Sequence, residues 1–127
     1  MACSKAKKLY HDVMVATVRR LPVAVQRGLD LFVSGLRERF GSRLAAVRLF
    51  GSYARGTAHE DSDVDCLVLL DRVTPGDDRT ITDLAGDLTW LADLVISPLI
   101  MSVDRFDAWK ASERRAALEI DRESVSL

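Results

Sequence analysis

Apolar residues recur along the first third of the chain with the three- to four-residue spacing of amphipathic helices. One such stripe predicts a helix over residues 5–20, closed by Pro22. A second, more regular stripe predicts a helix over residues 25–40. It should end at Gly41, because glycine readily adopts the backbone conformation that follows a helix C-terminus. The chain is therefore expected to begin with two helices.

Two nearly unbroken apolar runs, residues 44–50 and 64–70, predict β-strands, and the second should be buried on both faces. The polar loop between them, residues 51–62, has room for a short helical turn. A third strand is predicted over residues 94–101. Pro98 inside it favours an edge position or a bulge, because proline has no N–H to donate to a neighbouring strand.

The remaining pattern predicts two further helical stretches. A turn at residues 74–78 carries acidic residues placed to cap a helix that the apolar stripe of residues 81–91 marks. A last helical stretch covers residues 106–120. The order of elements predicts an α/β (or α+β) domain, with a small sheet of three or more strands flanked by helices. We expect residues 1–21 to form an N-terminal helical extension and residues 22–127 a single domain.

Composition narrows the class of protein. The chain has 127 residues, of which 48% are hydrophobic and 29% charged, so a disordered chain is not expected. The 19 acidic and 18 basic residues nearly cancel, which argues against direct nucleic-acid binding by overall charge. No segment has the ~20 apolar residues of a membrane span. The two cysteines form no disulfide or zinc pattern. We therefore expect a cytoplasmic protein that does not enter the membrane.

One segment carries candidate chemistry, and it reads GSYARGTAHEDSDVD from position 51. Asp63 and Asp65 are two residues apart at the mouth of a predicted strand, so both side chains should lie on one side. Two such carboxylates suit Mg²⁺ or Mn²⁺ together with substrate phosphates. Gly51 and Ser52 open the turn after the preceding strand, where backbone N–H groups can face an anion. Arg55 adds a positive charge, so the segment predicts a nucleotide site.

Two other motifs share part of this spacing and do not fit. The glycines of residues 51–56 match a P-loop, but Thr57 and Ala58 stand where Lys and Ser or Thr are needed. The carboxylates also begin like a calcium-binding EF-hand loop. However, Cys66 replaces the required glycine and Arg72 stands in place of the bidentate glutamate. Neither a P-loop nor an EF-hand is predicted.

The arrangement resembles the nucleotidyltransferase superfamily with the DNA-polymerase-β-like fold, and more narrowly its minimal (MNT-type) members. The match consists of Gly51-Ser52, ten residues, then Asp63-x-Asp65. Arg55 and Ser62 are also in pattern, and the segment at residues 120–123 is similar to a C-terminal helix of the family. The resemblance implies the nucleotidyltransferase fold, a small mixed sheet flanked by helices.

The resemblance also implies an activity and a set of site residues. The activity is transfer of a nucleoside monophosphate, with AMP the expected one, from ATP or another nucleoside triphosphate to an acceptor hydroxyl. Catalysis would be Mg²⁺- or Mn²⁺-dependent. The residues implied to hold the metal are Asp63, Asp65 and a third carboxylate, Asp93. The residues implied to hold the triphosphate are Gly51, Ser52, Arg55 and Ser62.

The third carboxylate is the open position in this assignment. The family takes it from the next core strand, and Asp93 lies at the start of that predicted strand. A shifted register would instead place Ser97 there, and serine is not a metal ligand of this kind. Asp87 is a further alternative, in the middle of a predicted helix. With Ser97 at the third position, we would expect weak or absent catalysis.

Three hypotheses about function follow. The first is an enzyme that modifies a partner protein, because the chain leaves little room for a domain that binds the acceptor. Minimal nucleotidyltransferases commonly act as antitoxins beside a HEPN-domain toxin, and a homo-oligomer could hold a small acceptor instead. The second is a module that neutralises its partner by contact alone. The third is an RNA-binding fragment using the basic N-terminus, which the near-neutral charge disfavours.

Overall fold

The fold was obtained as a computed structural model, which describes residues 21–127. The helix predicted for residues 5–20 lies outside the described residues. One 3₁₀ turn, Gly41–Arg43, follows the first helix. The elements in chain order are α1 (Val23–Phe40), β1 (Leu44–Phe50), α2 (Ser52–Arg55), β2 (Val64–Leu70), α3 (Asp77–Ala92), β3 (Ile96–Ser102), α4 (Val103–Ala111), α5 (Arg115–Glu123) and β4 (Val125–Ser126).

The four strands form one mixed sheet in the order β3-β2-β1-β4. Strands β1 and β2 are antiparallel and place Phe50 opposite Asp65. Strand β3 runs parallel to β2 and places Ser97 opposite Asp65. The short strand β4 pairs with the other side of β1, also antiparallel. The prediction of a small mixed sheet flanked by helices is confirmed.

Helices cover both faces of the sheet, and β2 supplies side chains to both layers. Helices α1 and α3 pack on one face, and α4 and α5 pack on the other. The β2 side chains that point toward α1 and α3 are Val64, Cys66, Val68 and Leu70. Those that point toward α4 and α5 are Leu67 and Leu69. The predicted burial of this strand on both faces is confirmed, and each face takes alternate residues.

Several local predictions are confirmed. Helix α1 ends at Phe40, and Gly41 follows with a φ of 53°. The short helical turn expected in the loop after β1 is α2. Strand β3 lies at the edge of the sheet, where Pro98 needs no N–H donor on its outer side. The pairing of β3 with β2 is continuous, so the edge position rather than a bulge accommodates the proline.

Other boundaries differ from the prediction. The last helical stretch is two helices, because Glu113 adopts a left-handed backbone with a φ of 56° between α4 and α5. Helix α3 begins at Asp77, four residues before the first residue of its apolar stripe. Strand β3 begins at Ile96, two residues later than predicted. Strand β4 was not predicted, because two residues are too few to show an alternating pattern.

The acidic cap predicted for α3 is wrong. Gly76 precedes the helix and makes no side-chain cap. The Asp77 carboxylate instead accepts hydrogen bonds from the Thr74 backbone N–H (2.7 Å) and hydroxyl (2.9 Å) and pairs with Arg43. Asp77 therefore joins the turn before α3 to the 3₁₀ turn after α1.

Candidate nucleotide site

The turn after β1 is built from a glycine and one turn of helix. Gly51 has φ 77° and ψ −155°, a conformation that side-chain-bearing residues rarely adopt. This conformation turns the chain sharply from Phe50 into α2. The Gly51 carbonyl accepts a hydrogen bond from the Arg55 N–H at 3.1 Å, and the Ser52 carbonyl accepts one from the Thr57 N–H at 3.0 Å. The first N–H groups of such a turn have no carbonyl one turn earlier in the helix to bond, and they are suited to an anion.

Gly51 lies against the Asp65 side chain. The antiparallel register already places the end of β1 beside Asp65. A Cβ atom added to Gly51 would overlap the Asp65 Oδ2 atom and would lie 3.1 Å from its Cγ atom. The proposed triphosphate turn and the proposed metal carboxylate therefore meet at one end of the β1–β2 pair, and only glycine leaves room for both.

The paired carboxylates differ in environment. Asp63 is exposed, whereas Asp65 is half-buried at the start of β2. Burial, followed by the negative charge of Asp63, raises the pKa of the Asp65 carboxyl, and Arg55 opposes this increase. A divalent cation between the two carboxylates would relieve both the burial penalty and the repulsion. The donor set therefore fits Mg²⁺ or Mn²⁺, which one or two carboxylates plus substrate phosphates commonly hold.

Arg55 has a partner that the sequence did not indicate. Its Nη1 atom lies 3.2 Å from the Glu123 Oε2 atom at the end of α5, and Glu123 is 68 residues further along the chain. The Arg55 side chain is 48% exposed, so part of it remains open to a ligand. In the sequence, only the resemblance of residues 120–123 to a family helix indicated that the C-terminal helix could contribute to the site. No local spacing connects the two residues.

Ser62 shapes the loop before β2. Its hydroxyl accepts a hydrogen bond from the His59 N–H at 3.0 Å. Its own N–H donates to the His59 carbonyl at 2.9 Å. These two hydrogen bonds close a tight turn directly before Asp63. In the structure, Ser62 therefore stabilises the loop before β2.

The three residues considered for the third carboxylate position lie in different parts of the structure. Ser97 is directly opposite Asp65 in the β2–β3 pairing. Asp93 follows the last residue of α3, is exposed and has a left-handed backbone with a φ of 52°. Asp87 is exposed on α3. Within residues 21–127, no group of three or more Asp, Glu, His or Cys side chains is arranged to hold a metal ion.

Open space adjoins the α2 turn on its loop side. A cavity of about 250 Å³ lies there. Its lining residues are Leu21, Pro22, Tyr53, Gly56, Ala58, His59 and Glu60. Tyr53 also packs against the core cluster that α1 and α3 form with the sheet. One aromatic residue therefore links the core to the wall of a cavity beside the candidate site.

The structure thus combines a mixed sheet covered by helices on both faces with a glycine turn and an Asp-x-Asp pair at one end of the sheet. Residues 29–119 match the family described as Nucleotidyltransferase domain. The chain belongs to this family. The fold and family expected from the sequence are therefore confirmed.

Curated relatives are named as protein adenylyltransferases. The chain is 37% identical over 76 residues to "Putative protein adenylyltransferase MJ1305" of Methanocaldococcus jannaschii, covering 58% of this chain and 52% of that protein. It is 32% identical over 82 residues to "Putative protein adenylyltransferase MJ0604" of the same organism, covering 65% of this chain and 78% of that protein. The match to the first relative spans about half of that protein's length.

A solved structure shares the fold. It is titled "Crystal structure of the toxin-antitoxin with AMP-PNP", and the superposition has a TM-score of 0.51 with 22% sequence identity. The match covers 75% of this chain and 68% of that chain. None of the helices described for residues 21–127 is long and apolar enough to cross a membrane.

Proposed function

We propose that this protein transfers AMP from ATP to a hydroxyl group of a partner protein and releases pyrophosphate. The attacking oxygen of the acceptor forms a bond to the α-phosphorus, and the bond from that phosphorus to the bridging oxygen of pyrophosphate breaks. The hydroxyl proton leaves to a base or water. The names of the relatives, protein adenylyltransferases, support a protein acceptor and AMP as the group transferred.

The observation that carries this proposal is the contact between Gly51 and Asp65. It brings the anion-binding turn and the carboxylate pair together, which is what a reaction at a nucleoside triphosphate needs. Elsewhere in the described chain, Asp77 is bonded to Arg43 and Thr74 within the fold. The Cys66 thiol is buried, and burial raises its pKa to about 12, which suits a core residue better than a nucleophile.

Each residue of the candidate site has a proposed role that follows from its charge or its hydrogen-bonding groups. Asp63 and Asp65, with Asp93 proposed as a third ligand, would hold Mg²⁺ or Mn²⁺. When bound, the ion supplies charge neutralisation at the triphosphate and orientation of the reacting oxygens. Gly51 and Ser52 present backbone N–H groups to the triphosphate, and Arg55 donates from the side of α2. Ser62 is proposed as a further contact to the nucleotide, through the loop that it closes.

We further propose that the acceptor is the toxin of a toxin–antitoxin pair, of the HEPN type, and that this chain acts as the antitoxin. The family resemblance and the toxin–antitoxin title of the structure that shares its fold support this partner. A homo-oligomer could contribute to acceptor binding, and the cytoplasm is the compartment that such a pair would require.

The test is nucleotidyl transfer from α-labelled ATP with Mg²⁺ in a lysate of the source cells. Label on a discrete protein band with the wild type, and none with an Asp63→Asn/Asp65→Asn control, would support the proposal. Mass spectrometry of the band would then name the acceptor and the modified hydroxyl. Absence of label with ATP, GTP, CTP and UTP alike would contradict it.

A second candidate function is a nucleotidyltransferase-fold module that neutralises its partner by contact with little or no catalysis. Ser97 opposite Asp65 favours this candidate, since a hydroxyl stands where the neighbouring strand could offer a carboxylate. The two candidates differ in one measurement. A contact inhibitor keeps blocking its partner after Asp63→Asn/Asp65→Asn, whereas the enzyme loses its effect.

The Ser97→Asp variant adds a direct comparison. If Asp93 serves as the third ligand, Ser97→Asp should not increase transfer and Asp93→Asn should reduce it strongly. If instead the site lacks its third carboxylate because position 97 is serine, Ser97→Asp should raise the transfer rate and Asp93→Asn should leave it unchanged. A Glu38→Gln variant serves as the control, because Glu38 is an exposed carboxylate of α1.

A further inference from the structure

Helix α3 leaves an aromatic side chain uncovered near its C-terminal end. Trp90 is 91% exposed and Leu91 is 78% exposed. Trp90 lies on the side of α3 opposite its buried residues, which include Leu84 and Leu88, whereas Leu91 ends the apolar stripe of the helix. Asp83, Gly86 and Asp87 are exposed on the same helix, one and two turns before Trp90. We call Asp83, Gly86, Asp87 and Trp90 the Trp90 face.

Gly86 has no packing role within the described chain. Glycine weakens a helix interior relative to alanine, so a helical glycine normally makes room for a neighbour. Helix α1 shows this use, because a Cβ at Gly28 would overlap Leu94 and one at Gly35 would lie 2.8 Å from Leu84. A Cβ at Gly86 would meet no atom within 4 Å. The α3 surface is thus flat and open where a neighbouring backbone could approach closely.

The Trp90 face is also negatively charged. Residues 83–95 include three aspartates and no Lys, Arg or His. The nearest cation on the helix is Arg79, whose Nε atom lies 3.9 Å from the Asp83 Oδ2 atom, a long and exposed contact. Helix α3 has no basic residue in its last turn, where the helix dipole favours one. Asp83 and Asp87, one turn apart, therefore flank Trp90 with negative charge that only the long contact to Arg79 offsets.

We infer that the Trp90 face binds a helix of a partner protein, one that carries an apolar residue opposite Trp90 and two Lys or Arg residues one turn apart. The open surface at Gly86 admits the close approach of a helix. Trp90 gives affinity, because aromatic residues at interface centres commonly dominate binding. The two carboxylates select a basic partner and set its register.

This inference deepens the proposed function and rests on it for one point, that the bound partner is the acceptor protein. The Trp90 face and the Gly51 turn belong to different elements of the domain. Transfer can therefore be abolished at the Gly51 turn while partner binding is retained.

The test uses the full chain with Trp90→p-benzoylphenylalanine, which crosslinks to neighbours under ultraviolet light in the source cells. Mass spectrometry identifies both the captured protein and the crosslinked segment. The control carries the same photoreactive residue at Leu118, which is exposed on α5 across the sheet. We expect one protein captured at position 90 and not at position 118, through a helical segment with Lys or Arg three or four residues apart.

Variants then test the chemistry with the purified partner. Asp83→Lys/Asp87→Lys should weaken binding at least tenfold and flatten its salt dependence, whereas Glu38→Lys on α1 should change it less than twofold. Gly86→Ala separates a role in binding from a role in folding. It should raise the unfolding temperature of the isolated chain, because alanine favours helix, and should weaken the complex.

Other outcomes would overturn the inference. These are a crosslink to a second copy of this chain, to its own residues 1–20, to nucleic acid or to nothing, and an affinity unchanged by the charge reversal. Failure of the proposed function looks different, since the crosslink would form while no label is transferred. Conversely, transfer that continues unchanged in the Trp90-face variants would contradict this inference alone.

Discussion

At the scale of single residues, the site depends on one backbone conformation and one close contact. Gly51 and Gly56 flank the α2 turn, and both have a φ of 77°. They differ in their surroundings. A Cβ at Gly51 would overlap the Asp65 carboxylate, whereas one at Gly56 would meet nothing within 4 Å. The two glycines therefore offer a matched pair for separating backbone strain from the loss of a functional contact.

We expect Gly51→Ala to destabilise the protein by about 2–3 kcal/mol, because it adds a clash to a strained backbone. Gly56→Ala should cost only about 1 kcal/mol, since it is strained without a clash. Urea unfolding measures both. Gly51→Ala should also abolish stabilisation by ATP and Mg²⁺ in thermal unfolding, and Gly56→Ala should retain it. Equal effects of the two variants on stability and on ATP response would contradict the importance of the Gly51–Asp65 contact.

At the scale of elements, the start of α3 is attached to the end of α1 through Asp77. The Arg43 Nη2 atom lies 2.5 Å from the Asp77 Oδ2 atom, and Thr74 donates two further hydrogen bonds. The bond from Arg43, followed by those from Thr74, holds the pKa of the Asp77 carboxyl below its usual value, against the opposing effect of burial. The charged carboxylate is therefore the form that stabilises the fold.

Because this pKa is lowered, the stabilisation is present above the ordinary carboxyl pKa and is lost as the pH falls through the lowered value. Asp77→Asn should cost about 1 kcal/mol at neutral pH, and the cost should shrink below about pH 4. Denaturant unfolding from pH 7 to pH 2 measures this trend. Asp78→Asn is the control, because Asp78 is exposed in the same helical turn. A cost independent of pH would contradict the charged role of Asp77.

The break between α4 and α5 provides a second prediction at this scale. Glu113 has a φ of 56°, a left-handed conformation that glycine adopts without strain. Glu113→Gly should therefore stabilise the protein by about 0.5–1 kcal/mol, despite the greater freedom that glycine gives the unfolded chain. Glu119→Gly, inside α5, should instead destabilise it by about 1 kcal/mol. Chemical unfolding compares the two, and a loss of stability in Glu113→Gly would show that the break is not strained.

At the scale of the whole molecule, two apolar layers share the central strand β2. Phe32 anchors the layer under α1 and α3, and Phe106 anchors the layer under α4 and α5. Phe106 also contacts Trp109 edge to face, with ring centroids 6.3 Å apart. Because β2 contributes side chains to both layers, loss of either layer exposes part of the strand that supports the other.

We therefore expect the layers to unfold together. Phe32→Ala and Phe106→Ala should each cost about 3–5 kcal/mol. In a Trp90→Phe background, Trp109 is the one remaining tryptophan of the chain, and its fluorescence reports on the α4–α5 layer. In both variants, the unfolding transition followed by Trp109 fluorescence should coincide with the one followed by far-ultraviolet circular dichroism. If Phe106→Ala shifted the Trp109 fluorescence transition without shifting the circular dichroism transition, the two layers would unfold as independent units.

The fold could be predicted from the sequence largely where its signals are local. The apolar runs of β1 and β2 and the stripe of α1 gave the correct elements, because burial on one or both faces leaves a regular period. The break at Glu113 was not predictable, since glutamate is an ordinary helix former and nothing nearby marks a stop. The cap predicted for α3 was wrong because Asp77 is bound by Arg43, 34 residues earlier in the chain.

For this protein, the sequence by itself determined the main strands, the helix before them and the Gly51-Ser52 and Asp63-x-Asp65 motif, because these depend on residue type and short spacing. Only the tertiary structure decided that Gly51 touches Asp65, that Glu123 reaches Arg55 and that Ser97 lies opposite Asp65. These contacts join distant parts of the chain. They depend on strand order and register, and the packing of the whole sheet sets both.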